Sequence, residues 1–380
     1  MTDEAALRDL RRQLHRIPEL GFAERATQAV VREVLTDLGA PTTIAETGLT
    51  LDLGPANAPR TLLLRADMDG LPIQEENPVD YASTHPGCMH ACGHDAHMAA
   101  LVAAGQRLRG EVPDGWRVRL LFQPAEEGGG GAARVIAEGG LDGVDTAFGI
   151  HVWNELPVGT VAVTPGGIMA GVVEVMLSVR GRGGHGALPD RALDPIVAGS
   201  QLILALQTIA SRRTSPLDPV VVTIGSFQAG EAFNVIPEVA TLVGTVRTFS
   251  PQTEAAVEAE LRQVAAGVAL ATGCSIDVTW RRYAGPTVND ADIARQVAVA
   301  AESVAGITTV LTDYRTMAGE DFGDILQAVP GCFVLLGSAP ADGRSAEPHH
   351  SPRFDIDESV LPLARDLHLA VVAQVCGGGG

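Results

Sequence analysis

Three apolar runs, Thr61–Arg65, Val118–Phe122 and Thr146–Val152, constrain the fold more than any other feature of the chain. A strand that is apolar on both faces has to be covered on both, and the segments between these runs have helical patterns. An α/β layer structure follows, with a sheet buried between helices. Leu7, Leu10, Leu14 and Ile17 recur at helical spacing, and Pro18 stops that helix. Val30, Val31, Val34, Leu35 and Leu38 mark a second helix, which Gly39 is placed to end.

The pattern changes at Thr164–Gly171, where Pro165, Gly166 and Gly167 form a joint. Beyond it lie a strand over Val173–Arg180, a helix over Asp194–Ser211, strands over Val220–Phe227 and Val239–Phe249, a helix over Gln252–Ala271 and a strand over Ser275–Arg281. This β-α-β-β-α-β order is that of a ferredoxin-like sandwich. The chain turns again at Ala284–Asn289, then reads as helix, strand (Cys332–Leu336) and a final helix near Glu358–Val375. At 380 residues it is too long for one core. The expectation is a discontinuous domain of residues 1–170 and 284–380, with residues 171–283 inserted as a smaller α+β domain.

Composition narrows the function. A formal net charge of −19, from 27 Lys+Arg against 46 Asp+Glu, repels nucleic acid and anionic lipid, so neither is expected as a partner. No export signal is read in the polar first ten residues, and no uninterrupted apolar run reaches the ~18–20 residues of a membrane span. Five scattered cysteines (Cys88, Cys92, Cys274, Cys332, Cys376) argue against a disulfide framework and for a reducing cytoplasm. The Gly377–Gly380 run reads as a tail outside the fold.

The densest chemical signal is Met89-His90-Ala91-Cys92-Gly93-His94-Asp95-Ala96-His97. Thiolate and imidazole are the donors that zinc-like divalent ions prefer, and this cluster opens an apolar helix. Gln123-Pro124-Ala125-Glu126-Glu127-Gly128 leaves the end of an apolar strand. One of its adjacent carboxylates can bind a metal while the other acts as a general base on water, although an isolated Glu-Glu pair is usually a solvated loop. Gly149-Ile150-His151-Val152-Trp153, Pro348-His349-His350-Ser351-Pro352 and Arg65-Ala66-Asp67-Met68-Asp69-Gly70 are weaker singly, and a lone strand histidine is more often core. Together they put potential ligands at successive strand ends of one sheet, where α/β folds build their sites.

With these motifs in order, from Leu14-His15-Arg16-Ile17-Pro18-Glu19-Leu20 to His349-His350-Ser351-Pro352, the chain resembles the metal-dependent aminoacylase and carboxypeptidase family. That family includes hippurate hydrolase, indole-3-acetyl-amino acid hydrolases and carboxypeptidase G, and the hippurate hydrolase branch is the most similar. The resemblance implies a metallopeptidase-like α/β/α catalytic domain with an inserted ferredoxin-like lid and dimerisation domain. It implies two divalent metal ions per subunit (Mn, Zn, Co or Ni) held by Cys92, His94, Glu127, His151 and His350. Glu126 matches the general base, and Asp69 an aspartate that supports a metal ligand from behind. Other branches carry a histidine at the position of Asp67 and a metal-bridging aspartate at that of Cys92, so the cysteine implies an altered metal preference. In the inserted domain His185, Asn234 and Arg247 resemble substrate-handling residues, the first two toward the oxyanion and Arg247 toward the product-side carboxylate. Gly319, in Met317-Ala318-Gly319-Glu320-Asp321-Phe322, is expected to offer a backbone contact to substrate.

The expected activity is metal-dependent hydrolysis of the amide of an N-acyl amino acid, giving a carboxylic acid and a free amino acid. The runner-up is an N-acetyl-diaminopimelate-type deacetylase, or a dipeptidase or carboxypeptidase of the same family. A small-molecule substrate and a homodimer, or a higher homo-oligomer, are the expected partners. In relatives with this insertion the lid histidine reaches the partner chain's metal centre, so the resemblance puts His185 there. Outside this class stand a thiol hydrolase with Cys92 as nucleophile and a non-catalytic binding relative. The thiol reading leaves Glu127, His151 and His350 without a role, and the binding reading predicts losses of Glu126 or a ligand that are not seen.

Overall fold

The computed structural model describes residues 3–340 and 346–377. Of the expected glycine tail, Gly377 ends the last helix, and residues 378–380 lie outside the described residues. The chain forms two compact units. The first comprises Met1–Ile168, Thr287–Arg315 and Asp321–Gly380, and the second Met169–Pro286 with Thr316–Glu320.

The first unit is built on an eight-stranded mixed sheet. Its parallel centre contains the three apolar runs, as the strands Arg60–Asp67, Trp116–Gln123 and Thr146–Pro157, joined by Gly331–Ala339. The antiparallel additions Thr42–Ile44, Gly48–Leu53 and Thr160–Ala162 are three to six residues long, too short for periodicity to register. Register sets the site. Asp67 pairs with Gln123 and Arg65 with Gly149, so His151 stands level with Asp67 and Gln123. Asp67 and Gln123 end their strands, whereas His151 lies inside the longer Thr146–Pro157 and not at the strand end expected from sequence.

The helices Asp3–His15, His94–Arg107 and Val360–Gly377 pack over the sheet, and their buried leucines and alanines share one core with its strands. Val360–Gly377 is by length and composition apolar enough to cross a membrane, although Arg365 and Asp366 interrupt it, so the absence of an uninterrupted apolar run still holds. Here it is a core helix, with Leu361, Leu367, Val371 and Val372 buried.

In the second unit the strands Gly171–Arg180, Val220–Ala229, Val239–Thr248 and Ser275–Ala284 form an antiparallel sheet. The helices Pro195–Thr208 and Pro251–Thr272 complete the β-α-β-β-α-β order. Both helices start at capped residues, Asp194 and Ser250, followed by proline. Their buried Leu202, Leu206, Val257 and Leu261 meet Val175, Leu177 and Leu242 of the sheet.

Candidate metal centre

Cys92, His94 and His151 bring their donor atoms within 4.8 Å of one another, and so do Cys92, Glu127 and His350. The two triads share the Cys92 sulfur, and a third group joins His94 to Glu126 and Glu127. Gly93 makes the close spacing of Cys92 and His94 possible. It has φ +89°, and a Cβ there would lie 2.4 Å from Val152 Cγ2. His94 then opens the buried helix His94–Arg107.

Donor nitrogens are set by their hydrogen bonds. His151 Nδ1 lies 2.6 Å from the Val152 carbonyl, which can only accept, so the proton is on Nδ1 and the Nε2 lone pair is free. That Nε2 faces Cys92 Sγ at 3.4 Å. His350 arrives with φ +66°, its N–H donating to the Ala91 carbonyl at 2.8 Å, and its Nε2 lies 3.3 Å from Glu127 Oε1.

The Glu126-Glu127 turn is held from below by Asp69. Its two carboxylate oxygens accept the backbone N–H groups of Glu126 and Glu127, each at 3.0 Å. Oδ1 of the same group lies 3.4 Å from His94 Nδ1. Asp69 therefore touches the two glutamates and a histidine of the cluster.

Electrostatically the centre is a trap for positive charge. Burial pushes His94 down, but the charges of Asp67, Asp69 and Glu127 outweigh it and raise the imidazole to about 10. The Cys92 thiol is pushed well above the usual range by burial and by Glu127, Glu126 and Asp67. Neither ring nitrogen of the fully buried His94 makes a hydrogen bond. Converging sulfur, nitrogen and oxygen donors and an excess of carboxylate fit a divalent cation.

Sequence reasoning missed the lattice behind the donors. Buried Arg65 donates to Gln123 at 3.0 Å, to Asp67 at 2.7 Å and to Asp321 at 3.1 Å. His97 Nε2 accepts the Val152 N–H at 2.9 Å, which leaves Nδ1–H to donate to Asp67 at 2.6 Å. Asp67 holds its ionised form because His94, His97 and Arg65 outweigh the cost of its burial. The Arg65-Ala66-Asp67 motif was the available signal, but Gln123 and Asp321 meet it only through the fold.

In the second unit His185 and Asn234 come together. The Gly184–His185 strand pairs with Val235–Ile236, and Gly186 N–H donates to the Asn234 carbonyl at 2.8 Å. His185 Nδ1 accepts from Ala187 N–H at 3.0 Å, so the proton of the neutral ring is on the outward Nε2. Arg247 is half-buried on its strand, donates to Thr245 and the Val246 carbonyl, and has no carboxylate partner among the described residues. Burial pushes its guanidinium down. At Gly319 a Cβ would lie 2.0 Å from Val172 Cγ2, so the missing side chain serves packing.

Known proteins share this architecture. The chain is 40% identical over 365 residues to an N-acetyl-L-cysteine deacetylase of Bacillus subtilis, covering 95% of this chain and 86% of that one. It is 37% identical over 372 residues to the IAA-amino acid hydrolase ILR1-like 4 of Arabidopsis thaliana, covering 96% and 84%. Among solved structures, the YxeP protein of Bacillus subtilis, described as a dinuclear metal-binding peptidase of the M20 family, matches with a TM-score of 0.87 at 33% identity over 99% of both chains. The pattern of peptidase family M20/M25/M40 spans residues 63–374. The chain belongs to that family.

Proposed function

We propose that this protein is a metal-dependent amidohydrolase that splits N-acyl amino acids into a carboxylic acid and a free amino acid. The single observation behind the reading is the pair of donor triads meeting at Cys92, with Glu126 beside them. Cys92, His94 and His151 would hold one divalent ion, and Cys92, Glu127 and His350 the other. When bound, the ions supply Lewis acidity that polarises the amide carbonyl and acidifies water.

Glu126 takes a proton from the attacking water and passes it to the leaving nitrogen. Asp69 keeps that carboxylate in place through the backbone it grips. The outward Nε2–H of His185 donates to the developing oxyanion, with Asn234 beside it, in a site completed by a second copy of the chain. Arg247, a guanidinium without a carboxylate partner among the described residues, takes the substrate carboxylate.

A thiol hydrolase needs a lowered cysteine pKa, and Cys92 has the opposite. Free cysteines throughout the described chain suit the cytoplasm, where we place the enzyme. The test is a panel of N-acetyl, N-benzoyl and indole-acetyl amino acids, N-acetyl-diaminopimelate and dipeptides, read by release of free amine. Turnover of N-acyl amino acids is expected, and a chain that splits only dipeptides would overturn the reading.

A further inference from the structure

His349 precedes His350 and lies against Cys92, yet it belongs to neither donor triad. Its Nε2 sits 3.2 Å from the backbone N–H of Asn154, which can only donate. The ring is therefore neutral with its proton on Nδ1, and Nδ1 lies 3.7 Å from Cys92 Sγ. Little in the surroundings lets the ring turn. It stacks on Trp153 at 4.7 Å between centroids and 25° between planes, and leans on Phe354 at 4.8 Å. Asn154 is fixed in turn, its side-chain amide donating to the carbonyls of Glu347 and Asp355 and its oxygen accepting from the Ser338 hydroxyl.

We propose that His349 is a positioning residue whose Nδ1–H donates to the Cys92 sulfur and holds it, as thiolate, in the direction its ligand role requires. The proposal rests on reading Cys92 as a metal ligand. The Cys92 sulfur shares a donor group with the Glu127 carboxylate, whose like charge repels a thiolate. One oriented N–H donor offsets part of that repulsion and restricts where the sulfur lone pairs point. The same N–H also faces the Cys92 backbone carbonyl, so the experiment has to separate sulfur from oxygen as its acceptor.

Cobalt(II) absorption does this, because sulfur-to-metal charge transfer depends on the energy of the sulfur lone pairs. A hydrogen bond lowers that energy and moves the band to shorter wavelength. His349→Phe keeps a flat ring between Trp153 and Phe354 but has no donor. His349→Asn places a side-chain N–H near the former Nδ1. In the cobalt-loaded wild type the band should be present. In His349→Phe it should move to longer wavelength, with the metal dissociation constant, measured against a chromophoric chelator, rising about 10- to 100-fold. Both variants should still bind two cobalt ions at saturation, and His349→Asn should recover part of the band position and of the affinity. An unmoved band in His349→Phe would show that the N–H serves only the carbonyl. One cobalt per chain at saturation would make His349 a ligand itself. A shift that His349→Asn does not partly reverse would trace to lost packing. A wild type with no thiolate band would overturn the ligand role of Cys92, a separate failure from the other three.

Discussion

Glu126 and Glu127 are chemically identical neighbours, and the proposed mechanism gives each a different task. Glu127 shares a donor group with Cys92 and His350, whereas Glu126 meets His94 and Glu127. Glu126→Gln should keep two metals per chain and lower kcat by about 10²- to 10⁴-fold, the range of a lost general base. Glu127→Gln should lose metal affinity by at least about 10- to 100-fold, because a charged ligand has gone. Elemental analysis beside steady-state kinetics separates the two, and matching metal content with matching residual activity would reverse the assignment. At this scale the sequence was informative wherever rare residue types crowd together, as at Cys92-Gly93-His94. It was silent on His97 and His349, whose tasks come from the backbone N–H groups of Val152 and Asn154. Those groups are about 55 and 195 residues away along the chain, and no local pattern records such pairings.

Among the elements, the N-terminal helix does more than cover the sheet. From it the fully buried Arg11 reaches Asp95 at the start of the His94–Arg107 helix at 2.7 Å, and Asp355 and Glu358, ahead of the last helix, at 2.8 and 3.3 Å. His15 adds a contact to Asp95 at 2.8 Å. Arg11→Ala should therefore cost about 3–5 kcal/mol, since it leaves a buried carboxylate short of its main counter-charge. Urea unfolding measures this, and a loss below about 1 kcal/mol would show that solvent or His15 replaces the guanidinium. The sequence located this helix from its leucine spacing, which says nothing of Arg11. Apolar strands and helices were legible for the same reason throughout: burial writes a period into the sequence. The edge strands Thr42–Ile44 and Thr309–Leu311 carry no such period, being three residues long and largely exposed, and only their partners define them.

The whole molecule carries a pH dependence distinct from its chemistry. His368, buried on the last helix with its ring edge against Phe148, is pushed down to about 3 by burial. In the unfolded chain it titrates near 6.5, so below that pH the unfolded state binds the extra proton. The stability it allows is complete above about 6.5 and is lost as pH falls toward 3, by up to about 1.4 kcal/mol per pH unit. Urea midpoints across this range should fall less steeply for His368→Met than for the wild type, and parallel slopes would rule His368 out as a cause.

Assembly has its own test at this scale. Glu126→Gln and His185→Ala, each nearly inactive alone, should regain roughly a quarter of wild-type sites when subunits exchange at random. Mixtures shown to exchange without regaining activity would place the whole site within one chain. The ferredoxin-like order of the second unit was legible from the sequence because strands such as Gly171–Arg180 alternate in burial and its helices bury residues at helical spacing. The role proposed for its His185 came from the family resemblance, and no burial pattern in the sequence records it.

The central claim, amide hydrolysis at a metal centre gathered around Cys92, is tested most directly by removing the metal. After exhaustive chelation, release of free amine from N-acyl amino acids should stop. Adding back Mn, Zn, Co or Ni should restore it, to different extents, as elemental analysis approaches two ions per chain. Undiminished turnover in a preparation that elemental analysis finds free of metal would contradict the account.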